Sequence, residues 1–157
     1  MKKEAIQLTQ SGAIFNEDRT HRLQLWRIWN EFLPTILFIG LNPSRANETK
    51  NDPTIVRCIR FAHSLQKYGG IYFANLYSYR TPDPLVLQQA ISVGDAHTEK
   101  TDFNLCEMIE RCKTIVCCWG SWKFIEDRSE YVRDQLIKAF HDQMHCFGTN
   151  VNGSPKH

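Results

Sequence analysis

The sequence predicts a single α/β domain, a three-layer sandwich in which helices cover a central, mainly parallel sheet of four strands, preceded by a β-hairpin. Two observations predict this class. Continuous apolar runs typical of buried strands alternate with amphipathic segments of helical period. Such alternation favours right-handed crossovers and therefore a parallel sheet between helices. We expect the domain to span residues 1–157, with the hairpin at about 13–28 and the core at about 35–157.

The elements follow one another along the chain in a regular order. Two extended runs around Asn16-Glu17-Asp18 predict the hairpin, and the central strands are predicted at 35–41, 71–75, 114–120 and 145–148. Asp52-Pro53 is typical of a helix start, since the acid caps and proline suits the first turn. The first helix should end at Gly69-Gly70. Further helices are predicted from Asp83-Pro84 and over about 97–112 and 128–141.

Composition excludes several classes of protein. The chain has 157 residues, with 19 Lys and Arg against 17 Asp and Glu. This small net charge gives no reason to expect a nucleic-acid or membrane partner, although a local basic face can bind nucleic acid. No apolar signal segment opens the sequence, and no run approaches the ~20 apolar residues of a membrane span. The six cysteines form no CxxC pair, which favours reduced, buried thiols. We expect a cytoplasmic protein without a membrane partner.

Each predicted central strand ends in polar residues, and these ends are the candidate site. They are GLNPS at 40–44, Asn75, CWGSW at 118–122 and GTNVNGSPKH at 148–157. Ligands of open α/β sheets bind outside the carboxyl ends of the strands, so convergence of four such ends indicates a site. Asn42 offers a donor and an acceptor without a charge. Taken alone, an ordinary Asn-Pro turn explains the first ending equally well.

Standard motifs are absent from the sequence, and the remaining candidates are basic and aromatic. There is no GxGxxG, GxxxxGK[ST], HExxH or GxSxG, so we expect no cofactor or metal and no serine hydrolase. The guanidinium group of arginine can donate two parallel hydrogen bonds to a phosphate. The candidate phosphate-binding residues are Arg22, Arg45, Arg57 and Arg80. Each of these also fits a solvated surface. Tyr77, Tyr79, Trp119 and Trp122 can stack a base or belong to the core.

Three stretches of the sequence resemble the domain of unknown function 1643 family. They are LFIGLNPSRANETKNDPTIVRCIRFAHSLQKYGGIYFANLYSYRTPDP, CWGSW and CFGTNVNGSPKH. Members of that family share an LNPS turn, a DPT-R-C helix start, a YGG-to-N-L strand and a closing G-x-P-[RK]-H. The resemblance covers roughly residues 20–157 in order. The function of that family is unsettled, so the resemblance implies a fold more directly than an activity.

The four strand ends also resemble, more distantly, those of the uracil-DNA glycosylase superfamily, whose three-layer fold the resemblance implies. By position, Asn42 matches the residue that positions the water, Asn75 the amide that reads the base, and His157 the histidine that supports the leaving base. The implied base-binding residues are Asn75, Pro43, Ser44, Tyr77, Trp119 and Gly120. Ser44 replaces the usual glycine or tyrosine, and the closing motif lacks the Ser-Pro that follows histidine there.

This second resemblance implies a glycosylase-like hydrolase that cleaves the N-glycosidic bond of a base or modified base in DNA or in a nucleotide. Asn42 is neutral, so it can orient a water but is a poor general base, and turnover should be slow. The first alternative is a non-catalytic nucleotide or nucleic-acid binding module on the same fold. An unrelated small-molecule enzyme is a second alternative, since fold does not determine function. The expected partner is nucleic acid or a nucleotide.

Overall fold

The strands form one mixed sheet. The computed structural model describes residues 4–142 and 144–157. Its strands are β1 (Gln10–Phe15), β2 (Arg22–Ile28), β3 (Thr35–Gly40), β4 (Gly70–Asn75), β5 (Thr114–Cys117) and β6 (His145–Cys146). They lie in the order β1-β2-β4-β3-β5-β6, with β4, β3, β5 and β6 parallel and the β1-β2 hairpin antiparallel. The predicted α/β class and the N-terminal hairpin are therefore confirmed.

The predicted size of the sheet is wrong. The prediction set four central strands beside a separate hairpin, whereas β2 pairs antiparallel with β4 and extends the sheet to six strands. The pairing covers what would otherwise be an open edge of the buried strand β4, whose backbone groups need partners. The third and fourth central strands are also shorter than predicted, ending at Cys117 and Cys146.

Helices pack on both faces of the sheet. The helices are α1 (Pro53–Ser64), α2 (Pro84–Ser92), α3 (Glu99–Arg111) and α4 (Glu126–Tyr131). A 3₁₀ turn over Lys123–Ile125 precedes α4, and a π-helical segment over Val132–Ile137 continues it, where the sequence predicted one helix over 128–141. One core cluster joins α1 to Phe38 and Phe73, and the other joins α2 and α3 to the opposite face.

The capping of α1 agrees with its sequence signature. Asp52 accepts a hydrogen bond from the backbone N–H of Ile55 at 3.0 Å, and Pro53 occupies the first turn, where its missing N–H has no cost. Ile55, Cys58, Ile59 and Ala62 form the buried stripe that packs on the sheet. The start of α1 is thereby held at the carboxyl edge of the sheet.

The loop that joins β3 to α1, residues 41–52, is anchored from β2 by a fully buried arginine. Arg27 donates to the backbone carbonyls of Asn47 and Lys50, to the side chain of Asn51, and to two carbonyls of the hairpin. Every nitrogen of its guanidinium therefore has an acceptor. A buried charge is tolerated when its hydrogen bonds are satisfied in this way, so Arg27 serves to hold the loop.

Within the described residues, no helix is long and apolar enough to cross a membrane, and no group of three His, Cys, Asp or Glu side chains is arranged to hold a metal ion. All six cysteines are free, and Cys146 is the exposed one.

Replacing Arg27 by Met should lower the free energy of unfolding by roughly 2–4 kcal/mol, because several buried acceptors lose their donor. Urea unfolding of the parent and the variant measures the change. The control is Arg60→Met, an exposed arginine on α1, which should change stability by less than about 0.5 kcal/mol. Equal effects of the two substitutions would contradict the anchoring role of Arg27.

Candidate functional site

A largely apolar cavity of about 520 Å³ lies at the carboxyl ends of the parallel strands. All four predicted strand ends contribute to it: Gly40–Ser44 after β3, Asn75 at the end of β4, Cys118 and Trp122 after β5, and Phe147 and His157 after β6. The size lies in the range of small-molecule sites. The convergence that the sequence predicted is therefore present in the fold.

The structure brings seven of the predicted site residues to this cavity and leaves five elsewhere. Those that line it are Asn42, Pro43, Ser44, Asn75, His157, Arg22 and Arg57. Those that do not are Tyr77, Trp119, Gly120, Arg45 and Arg80.

Tyr77 and Trp119 belong to the core on the α3 side of the sheet, each only 3% exposed. Burial raises the pKa of Tyr77 to about 12. Neither ring faces the cavity, so neither serves as a stacking platform there.

Gly120 supports the cavity without lining it. Its φ of 84° is in the left-handed region that favours glycine, and its N–H donates to the carbonyl of Pro155 at 3.1 Å. A Cβ at this position would lie 3.5 Å from the Cβ of His157. Gly120 therefore lets the C-terminal segment lie close to the end of β5.

Asn42 joins the loops that follow β3 and β4. Its Nδ2 contacts three backbone carbonyls, those of Pro43 (3.1 Å), Tyr79 (3.2 Å) and Thr81 (2.8 Å). Three acceptors on one atom fix the orientation of the amide, because an oxygen there would be repelled by all of them. Oδ1 has no hydrogen-bond donor among the residues that the structure describes. Asn42 thus contributes an available acceptor to the cavity lining.

Asn75 and Arg22 form the buried polar floor of the cavity. Nη2 of Arg22 donates to Oδ1 of Asn75 and Nη1 donates to the carbonyl of Ala46, both at 3.2 Å. Nδ2 of Asn75 has no acceptor within residues 4–142 and 144–157. In the same residues Arg80 Nε is the sole fully enclosed side-chain nitrogen or oxygen without a partner, so Nδ2 of Asn75 is open to the cavity. This atom is an available donor.

A β-bulge in β2 brings Arg22 to this floor. Ile14 pairs with Gln24 and Phe15 with Arg22, so Leu23 is an extra residue in the ladder. In a regular strand Arg22 would share the face of Gln24, which bonds to Asn104 of α3. The extra residue reverses the alternation and turns Arg22 to the α1 face, the face of Asn75. Nothing in the sequence pattern signals this bulge.

Arg22 is a buried cation that lacks a direct counter-ion. It is 4% exposed, and no carboxylate in the described part of the chain lies within ion-pair distance of it. Burial lowers the pKa of Arg22 to about 10, against the attraction of the more distant Asp52, so the guanidinium stays charged at neutral pH. Burying a charge costs free energy unless it is paired. An acceptor-rich ligand would offset this cost.

The aromatic wall of the cavity was predicted from the sequence at Trp122 alone. It consists of Phe61, Phe73, Trp122 and Phe147. Phe147 is 48% exposed and lies against Phe61 with a centroid distance of 4.9 Å. Alternation along β4 already places Phe73 on the face of Asn75, two residues further on. Phe147 follows the shortest strand, and its contact with α1 has no local signal.

The rim of the cavity is formed by the start of α1, with Asp52, Thr54 and the exposed Arg57. Arg45 is exposed outside the cavity. Arg80 donates to the carbonyl of Arg19 at 3.0 Å and stacks on Phe15, away from the cavity. Of the four predicted phosphate contacts, Arg57 is the one that lies at the rim.

These observations define an α/β protein with a largely apolar cavity at the carboxyl edge of its sheet. The floor of that cavity is polar. The family model described as Protein of unknown function (DUF1643) matches residues 22–157, and the chain belongs to that family. No curated protein and no solved structure matches the chain. The resemblance to the uracil-DNA glycosylase superfamily stays a prediction.

Replacing Arg22 by Met should leave the free energy of unfolding within about 1 kcal/mol of the parent or raise it, because the substitution removes a buried charge that lacks a counter-ion. Thermal and urea unfolding measure this. The matched control is Arg27→Met, the other buried arginine of β2, which should be clearly destabilised. If both variants lose the same stability, Arg22 is a structural residue and the floor is not built for a ligand.

Proposed function

We propose that the protein is a glycosylase-like hydrolase, with the fold of the uracil-DNA glycosylase superfamily, that cleaves the N-glycosidic bond of a base or modified base in DNA or a nucleotide. One observation carries the proposal. Asn42 and Asn75 line the same cavity at the ends of neighbouring parallel strands. Each has one atom without a partner among the described residues, the acceptor Oδ1 of Asn42 and the donor Nδ2 of Asn75. An acceptor holds a water, and a donor holds a base oxygen.

The reaction needs little more than these two groups in the right places. The C1′–N bond breaks with its electron pair passing to the base, the water oxygen bonds to C1′, and the released proton passes to solvent. The transition state resembles an oxocarbenium ion, so donors aimed at the charge that grows on the base lower the barrier. Asn75 Nδ2 is such a donor. Asn42 Oδ1 orients the water without accepting its proton.

His157 supports the departing base in this proposal. It is exposed, lines the cavity, and has no hydrogen-bond partner in the part of the chain that the structure describes. Gly120 lets its Cβ approach the end of β5. The imidazole is therefore free to donate to the base as negative charge develops.

The aromatic wall provides the surface on which a base stacks. Phe73 lies beside Asn75 on the same face of β4, since a Cβ placed on Gly40 would meet both side chains at 3.1 Å. Phe73 is 3% exposed, so a base stacks on the exposed rings of Phe61 and Phe147, and such stacking stabilises a bound base by about 1–3 kcal/mol. Arg57 at the rim is the candidate contact for the phosphate.

The second candidate function is a non-catalytic nucleotide or nucleic-acid binding module. It is favoured by the three carbonyl contacts of Asn42, which give this residue a structural role that needs no chemistry. Asn42 also has no ionisable group, so it cannot act as a general base.

Release of free base distinguishes the two functions. The parent is incubated with oligonucleotides and nucleotides that carry uracil, hypoxanthine, guanine, 5-substituted pyrimidines or deazapurines, and free base is detected by mass spectrometry. We expect slow release from at least one substrate, and a loss of about 100-fold or more in Asn42→Ala, with nucleotide binding retained. Asn42→Ala should also be less stable, because three carbonyls lose their donor.

The matched control is Asn47→Ala. Asn47 lies in the same loop and stabilises it by accepting from the N–H groups of Thr49 and Lys50, but it does not line the cavity. This variant should lose some stability and keep the release of base. If the parent releases no base from any substrate while a nucleotide raises its melting temperature, the binding module is correct. If no nucleotide binds either, both proposals fail.

A further inference from the structure

Within the described residues, the atoms that have no partner on the two buried polar side chains of the floor are hydrogen-bond donors. Arg22 already donates to Oδ1 of Asn75, so Nδ2 is the amide atom that has no partner among the described residues. The guanidinium carries donors exclusively. Its Nε has no acceptor within the described ranges, and it is not fully enclosed. A ligand that pairs with these donors must present acceptors.

The donors lie beside one ring of the aromatic wall, that of Phe73. Asn75 Nδ2 and the ring of Phe73 are equally close to the position of a Cβ on Gly40, 3.1 Å in each case. The guanidinium carbon of Arg22 is 5.9 Å from the centroid of the same ring. The donors of Asn75 and Arg22 therefore lie beside the aromatic wall that lines the same cavity.

We propose that the cavity selects a 6-oxopurine, the class of guanine and hypoxanthine, through its O6 and N7 atoms, with Arg22 as the specificity-determining residue. This inference rests on the proposed function and names its substrate class. The edge of a 6-oxopurine carries two neighbouring acceptors, and arginine is the side chain that commonly pairs with them. Adenine and cytosine carry an amino donor on the corresponding edge, and uracil and thymine have one acceptor beside a carbon.

The charge of Arg22 fits the reaction as well as the recognition. When the C1′–N bond breaks, the electron pair enters the purine and the negative charge spreads over its ring nitrogens and O6. A buried guanidinium without a direct counter-ion interacts more strongly with that charge than with the neutral substrate. Arg22 thereby discriminates between bases and stabilises the leaving group, so it belongs with the base and not with a phosphate.

Isothermal titration calorimetry at constant ionic strength measures the affinity of the protein for four 2′-deoxynucleoside 5′-monophosphates. Their bases are guanine, hypoxanthine, adenine and 7-deazaguanine. Chromatography confirms that the recovered ligands are intact. The guanine and hypoxanthine nucleotides should bind at least about tenfold more tightly than the adenine nucleotide. The 7-deazaguanine nucleotide keeps O6 and lacks N7, so it should bind more weakly than the guanine nucleotide.

Three variants show which residue causes the preference. Arg22→Met should abolish the preference for 6-oxopurines and retain the fold, as judged by its melting temperature. In Asn75→Asp the new carboxylate pairs with Arg22, and an acceptor replaces the Nδ2 donor of Asn75. The adenine nucleotide, which carries an amino donor on that edge, should therefore gain affinity relative to the guanine nucleotide. Arg57→Met, at the rim, should weaken all four nucleotides alike and leave their ratios unchanged.

The inference is overturned if the parent binds the adenine and guanine nucleotides equally, or if Arg22→Met keeps the preference. It is also overturned if inorganic phosphate alone binds the parent and not Arg22→Met, since Arg22 would then be a phosphate contact. If the parent prefers 6-oxopurine nucleotides but releases no base, this inference is supported and the hydrolase proposal fails. If the parent releases uracil and shows no preference for 6-oxopurine nucleotides, the hydrolase proposal is supported and this inference fails.

Discussion

The buried hydrogen bond between Arg22 and Asn75 is the interaction on which the site depends. It joins the N-terminal hairpin to the carboxyl end of β4, and the other arm of Arg22 bonds to Ala46 in the loop after β3. Three separate segments therefore meet at one guanidinium. The bond also fixes the amide of Asn75, so the same contact that assembles the floor decides which atoms a ligand meets.

The two buried arginines of β2 show how differently the same side chain is used. Arg27 has an acceptor for every nitrogen of its guanidinium and anchors the loop of residues 41–52. Arg22 has two hydrogen bonds and no direct counter-ion. An incompletely paired buried charge requires an explanation, and the one that we propose is a ligand that pairs with it. Arg27 and Asn42 hold the loop of residues 41–52 in place. A ligand that pairs with Arg22 would offset the free energy that its burial costs.

Local signals in the sequence predicted much of the architecture. The order of strands and helices, the cap at Asp52 and the convergence of the strand ends follow from periodicity, turn chemistry and the rules of parallel crossovers. The pairing of β2 with β4 was missed because antiparallel contacts between distant segments leave no periodic trace in either one. The bulge at Leu23 lies within the hairpin, but nothing in the sequence of β2 signals it, so the place of Arg22 beside Asn75 was missed as well.

The site was predicted in part for related reasons. Asn42 and Asn75 end strands, so topology alone brings them together. Tyr77 and Trp119 also follow strands, but aromatic side chains at such positions fill the core as readily as they line a cavity, and here both are buried on the α3 side. Phe147 was not identified because its contact with Phe61 joins segments far apart in the chain.

A crystal structure with the carbocyclic analogue of 2′-deoxyguanosine 5′-monophosphate, which has no cleavable N-glycosidic bond, tests the central claim most directly. We expect the purine to lie against the aromatic wall, with O6 and N7 within about 3 Å of donors on Arg22 and Asn75. We also expect a water between Asn42 Oδ1 and C1′. A phosphate bound to Arg22, or a base bound outside this cavity, would contradict the claim.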